Sequence, residues 1–347
     1  MIVPLFLLAV LVLLSARPSK KTLVQSYSSI PQTQAIKGIF VITIFFSHFC
    51  SYVHLEAWYD KPMQSYCIFL GQLMVAPFLF YSGYGIFESV KAKKSIYIKS
   101  FPKKRILKTL LHFDFAVILF LLLDLIIDQP VSTSKFLLSL TAWESIGNSN
   151  WFIFAILCAY TYTFLGLSIF RGKLKRAFIF ISIMSLAFIA IMSHYKPPYW
   201  FDTILAFPLG CLLSTYKEKF DLLTNHKFTV IIATTFSVLI FGATKFNIIT
   251  DEFYNNQLAL LAFSTAIIFL SMHIRINNKI LNWFGAQVFG IYILQRLPMN
   301  FLTFLHVNEY SIHLFFIISL ASTLVLSVLF SKWTDFFDKV LLKTSKY

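Results

Sequence analysis

The chain has 347 residues, of which 58% are hydrophobic and only 13% charged, well below the roughly 25% charge of a soluble domain. Its net charge of +15 raises nucleic acid as a partner. However, the basic residues sit in short links between apolar runs and no basic domain lies outside them, so the charge reads as membrane topology and no nucleic-acid partner is expected. The four cysteines, Cys50, Cys67, Cys158 and Cys211, form no CxxC pair; they read as packing residues, and no metal site is expected.

The apolar runs predict an all-α, polytopic membrane protein with eleven spans, near 2–16, 37–54, 66–88, 110–128, 151–170, 177–193, 199–215, 228–243, 256–272, 283–303 and 312–331. The first lacks a basic leader region and is followed by Arg17, Lys20 and Lys21, which fits a retained helix better than a cleaved signal. Residues 1–36 are read as this helix and its link, 37–331 as the membrane core and 332–347 as a basic tail. Alternating the eleven spans puts 25 of the 30 Lys and Arg residues on one side and 5 on the other. The basic side is expected to be cytoplasmic, with the N-terminus outside and the C-terminus inside.

Several positions stand out along this path. Lys37 and His48 are eleven residues apart on one predicted helix, so they share a face about 16 Å apart along the axis. An ionisable group at membrane depth is a functional candidate by default. His48 is either a general base, for which its ordinary pKa is suited, or a histidine that bonds between helices. Ser82-Gly83-Tyr84-Gly85 permits close backbone approach, by a helix or by a ligand. The loop 91–108 holds eight basic residues and no acid. It can seat nucleotide phosphates, bind anionic headgroups, or simply set topology. The outer loop 129–150 is rich in Ser, Thr and Asn and ends at Asn150-Trp151, a boundary where Trp commonly anchors. Gln295 and Arg296 end the 283–303 span; they either contact a hydroxylated acceptor or form an interfacial pair in which Arg296 snorkels. Asp114, Asp124, Glu88 and Asp202 are carboxylates near or inside spans; Asp114 or Asp124 could orient a histidine as in a catalytic triad.

In order, these pieces resemble the acyltransferase family 3 integral-membrane O-acyltransferases. The family's basic residue, ten residues and histidine read here as Lys37 to His48. Its phenylalanine-rich stretch with SGY reads PFLFYSGYGIF at 77–87, and its RxxR-like loop reads FPKKRILK at 101–108. Trp151-Phe152, Phe207-Pro208-Leu209-Gly210 and the run from Trp283 to Gln295 complete the likeness, which covers about residues 33 to 331. Lysine stands for arginine at 37 and at 108, which keeps charge and loses the fork. Glutamine stands for histidine at 295, which removes a titratable group.

The resemblance implies a ten-helix core, with residues 2–16 as an added helix, in a bacterial-type plasma membrane. It also implies transfer of an acyl group, usually acetyl, from acyl-CoA to a hydroxyl of a surface or lipid-linked sugar. His48 would then be the catalytic base. Lys37, Lys104, Arg105, Lys108, Ser82 and Tyr84 would hold the donor, with Ser82 and Tyr84 also candidates for steadying the oxyanion. Asn150, Trp151, Gln295 and Arg296 would meet the acceptor. No permanently bound cofactor is expected. The rival reading from the same membrane body is a transporter or flippase for an amphiphilic or polyisoprenoid-linked substrate, with the histidine as proton relay. A non-catalytic membrane sensor or scaffold, suggested by Gln295, is a further one.

Overall fold

The structure, a computed structural model, describes residues 1–18, 26–246 and 249–340. Lys20, Lys21, Lys343 and Lys346 of the charge count lie outside the described residues. The apolar runs form helices almost throughout. Helix α1 is Ile2–Ser15, and strand β1, Ala16–Pro18, follows it. Helix α2, Ile30–Cys50, carries both Lys37 and His48. Helix α3, Lys61–Leu70, continues through a tight turn at Gly71–Val75 into α4, Ala76–Phe101. A widened π turn, Pro102–Leu107, joins α4 to α5, Lys108–Ile126, without a loop. Pro102 has no N–H to donate and crowds the preceding turn, and widening the turn relieves both problems.

Helix α6, Thr133–Leu140, lies in the outer loop, and α7, Trp151–Ile169, and α8, Leu174–Met192, follow. Next come α9, Ala206–Thr215, α10, Lys217–Leu223, α11, Lys227–Thr244, and α12, Glu252–His273. Strand β2, Ile274–Ile276, precedes three short helices, α13, Lys279–Ala286, α14, Val288–Leu294, and α15, Arg296–Phe304. Helix α16 is Val307–Tyr310, and α17, Ile312–Val340, closes the described chain.

Among the described residues, seven helical segments are long and apolar enough to cross a membrane. One of them, Lys61–Ile126, contains two of the expected spans joined through the π turn. Ile2–Ser15 and Ala206–Thr215 are shorter apolar helices, and the expected 283–303 span is broken at Gln287 and Gln295 into α13, α14 and α15. The expected count of eleven is therefore not established by length. The tail expected from residue 332 begins as helix, since α17 runs on to Val340.

Two close crossings set the frame. A Cβ on Gly83 would lie 2.2 Å from the Phe207 carbonyl oxygen, and one on Gly210 would lie 1.9 Å from that of Phe80. The SGY and FPLG segments are thus two sides of one contact between α4 and α9. Likewise a Cβ on Gly38 would lie 2.0 Å from the Leu281 carbonyl oxygen, and one on Gly285 would lie 1.9 Å from that of Gln34, which clamps α2 to α13. Small residues at helix interfaces are what membrane packing uses where burial from water supplies no drive. Strands β1 and β2 pair antiparallel, with Arg17 opposite Arg275. Gln32 of α2 closes the open edge of β2, donating to the Ile274 carbonyl and accepting from the Ile276 N–H, both at 2.9 Å.

Phe45, Phe49, Phe113, Phe120 and Phe315 are buried in the core. Phe6, Leu14, Ile68, Ile126, Phe236 and Ile317 face outward and are more than 60% exposed. So much outward apolar surface would drive aggregation in water and suits contact with hydrocarbon.

Candidate active site

A cavity of about 790 Å³ opens between α2, α4, α7 and α14. It exists because one stripe of α4 is small. Ser82, Gly85, Ser89 and Ala92 all line it, and their spacings of three and four put them on one helix face. A Cβ on Gly85 would meet nothing within 4 Å. In the SGYG motif, then, Gly83 packs against α9 and Gly85 faces the open cavity.

The cavity lining carries Lys37, Lys93 and Arg105 against a single acid, Glu88. Glu88 is already engaged, accepting from Lys91 Nζ and Ser214 Oγ at 2.7 Å each. Arg105 Nε donates to Tyr97 Oη at 3.1 Å. Lys37 is half-buried, and among the described residues no hydrogen bond or ion pair ties down its ammonium. The cavity is therefore electropositive and suited to an anion. Ser82 and Tyr84 line it as well, with their hydroxyls 2.9 Å from Tyr160 Oη and 2.8 Å from Ser28 Oγ.

His48 does not line this cavity. Phe78 and Phe152, which do, have ring centroids 6.1 Å apart. Phe152 packs 5.3 Å from Tyr292, and Tyr292 lies 6.4 Å from the His48 ring. An aromatic step, Phe78–Phe152–Tyr292, thus runs from the cavity to the histidine. His48 is half-buried, and its Nδ1 lies 3.4 Å from Ser149 Oγ, the long end of hydrogen-bond range. None of the four carboxylates noted near or inside the spans bonds it. Glu88 is tied up as described, Asp202 accepts from Asn256 Nδ2 at 3.0 Å, and Asp114 and Asp124 have no bond to it.

Ser149 is held by a dense turn. Ser145 Oγ donates to the Asn148 carbonyl at 2.7 Å, and Asn148 Oδ1 accepts from the Ile146 N–H at 3.0 Å. Gly147 has φ +96°, and a Cβ there would lie 2.6 Å from Asn300 Nδ2. Asn150 is buried and donates to the Ala142 carbonyl at 2.9 Å, so it holds this turn together. Beyond the turn, Arg296 Nε donates to Tyr52 Oη at 2.9 Å, Tyr52 Oη donates to Asn300 Oδ1, and Asn308 Nδ2 donates to the Tyr52 carbonyl at 2.9 Å. Arg296 is thus tied to Tyr52. Gln295 is fully buried and donates to the Tyr292 carbonyl at 3.2 Å. Trp151 packs against Phe152 and Tyr199.

The eight basic residues of 91–108 divide their roles. Lys93 and Arg105 line the cavity. Lys91 binds Glu88. Lys94 and Lys99 border a separate cavity with Arg171. Lys103 and Lys104 are exposed outside the cavity. Lys108 pairs with Asp338, which also bonds His112 Nε2 at 2.9 Å. The structure therefore brings Lys37, Arg105, Ser82 and Tyr84 together and leaves Lys104 and Lys108 elsewhere. Ser149, Tyr52, Phe152, Tyr292 and Lys93 are site neighbours that sequence reasoning did not single out as such. The Trp-Phe pair carried a signal for Phe152, the run from Trp283 to Gln295 for Tyr292, the basic loop 91–108 for Lys93 and the Ser/Thr/Asn-rich outer loop for Ser149.

No curated protein and no solved structure matches the chain. The family model described as an acyltransferase domain matches residues 32–332, from the first turn of α2 into α17, and so contains the cavity, the aromatic step and His48 together. The chain belongs to the acyltransferase 3 family and is a membrane acyltransferase.

Proposed function

We propose that this protein is an O-acyltransferase that moves an acyl group, most simply acetyl, from acyl-CoA to a hydroxyl of a surface or lipid-linked sugar. The observation that carries this reading is the electropositive cavity, which leads by an aromatic step to a histidine with no carboxylate partner among the described residues. Lys37, Lys93 and Arg105 supply the charge that nucleotide phosphates require. Ser82, Tyr84 and the small face of α4 leave a passage for the pantetheine arm. His48 takes the proton of the acceptor hydroxyl, whose oxygen attacks the thioester carbonyl. The carbon–sulfur bond breaks, the new ester forms, and the proton passes from His48 to the departing thiolate. Ser149 holds the imidazole through Nδ1.

The charge count supports a bacterial plasma-membrane orientation in which the cavity mouth faces the cytoplasm, where the donor is made, and His48 faces the far half. The decisive experiment compares surface glycans by mass spectrometry with the wild-type protein, with His48→Ala and without the protein. An acetyl mass present only with the wild type supports the reading. The same mass with His48→Ala, at wild-type level and from a folded protein, would sink it.

A further inference from the structure

Arg296 carries a charge that the fold does not balance. It is half-buried, and its bonded neighbour Tyr52 is neutral, with Arg296 Nε 2.9 Å from Tyr52 Oη and the guanidinium carbon 5.6 Å from the Tyr52 ring centroid. No carboxylate lies within ion-pair distance of it among the described residues. It also occupies the first position of the nine-residue helix α15, whose first turn holds no acid. A half-buried charge without an ion partner is costly unless something supplies one.

The place is specific. Tyr52 bonds Asn300, Asn300 packs on Gly147, and two residues on, Ser149 bonds His48. Arg296 also lies within electrostatic reach of the His48 ring. Resting on the transfer reaction proposed above, we infer that the acceptor is anionic. Arg296, with Tyr52 and Asn300 beside it, binds a phosphate or carboxylate of the acceptor and so presents a neighbouring hydroxyl to His48. A guanidinium offers a forked donor set that matches either group.

The test is binding to the full-length protein in neutral detergent, read by thermal unfolding with glucose, glucuronate and glucose 1-phosphate as probes. Both anionic sugars should stabilise the wild type and glucose should not. Arg296→Gln should weaken the anionic sugars at least about tenfold, in line with the loss of a charge-assisted bond. Arg296→Lys should keep part of the affinity. Arg105→Gln should leave glucuronate binding intact, which separates this site from the donor cavity. A response to glucuronate alone assigns a carboxylate acceptor, and a response to glucose 1-phosphate alone, retained in Arg105→Gln, assigns a phosphate. Equal shifts with glucose, or an anion response unchanged in Arg296→Gln, overturns the inference. Should Arg296→Gln not fold, Asn300→Ala takes its place with a smaller expected loss. Because the readout is binding, anion recognition without acyl transfer would refute the proposed reaction alone.

Discussion

The cavity and the surroundings of His48 are built in opposite ways. The cavity is walled by helices, chiefly α2, α4, α7 and α14, and owes its volume to a run of small residues at helical spacing. Its side-chain hydrogen bonds, such as Ser82 to Tyr160 and Tyr84 to Ser28, tie one helix wall to another part of the lining. The His48 side is made of helix ends and turns, 145–150 and the break at Gln295, cross-linked by side-chain hydrogen bonds. A flexible donor arm tolerates an open, generic channel, whereas proton transfer needs atoms held to a fraction of an ångström. The contrast predicts that damage to the cavity changes binding and damage to the His48 side changes turnover.

The largest effect should follow loss of the base. His48→Ala is expected to lower kcat by about a thousandfold, within the range for general-base catalysis, while thermal stabilisation by acetyl-CoA is unchanged. Donor binding lost together with turnover would erase the distinction between the two regions. Next comes Arg105→Gln, which should raise the donor KM by about 10- to 100-fold, as for a lost charged hydrogen bond, with kcat nearly kept. Steady-state kinetics over a range of acetyl-CoA concentrations decides this. A fall in kcat at unchanged KM would move Arg105 out of the donor site.

The two glycines of the SGYG motif sharpen the contrast within one helix turn. Gly83→Ala forces a Cβ onto the Phe207 carbonyl and should cost about 1–3 kcal/mol of stability, seen as a lower unfolding temperature in detergent. Gly85→Ala has room and should stay within about 0.5 kcal/mol of wild type, while Gly85→Leu should keep the fold and impair donor binding. Equal destabilisation by the two alanines would refute the division of labour. The smallest effect is expected from Ser149→Ala, a loss of about two- to tenfold in kcat, as for one neutral hydrogen bond, at unchanged donor KM. A raised donor KM with normal kcat would instead assign Ser149 to binding.

Much of the fold was legible because membrane helices leave a coarse mark. Length and hydropathy located the apolar segments, and helical periodicity placed Lys37 and His48 on one helix. The order of short motifs identified the family. Tertiary packing decided what a one-dimensional pattern cannot carry. It separated Gly83 from Gly85 because helix α9 lies on one side of the motif and open space on the other. It sent Arg105 to the cavity and Lys108 to Asp338, since the widened turn that ends before Lys108 aims the two side chains in different directions. It gave His48 a serine rather than a carboxylate, through a turn about a hundred residues further along the chain. It also tied Arg296 to Tyr52, where only the surrounding fold makes the charge unbalanced. A sequence specifies which groups are available at which depth. Their partners depend on contacts between distant segments, and those exist only once the helices have packed.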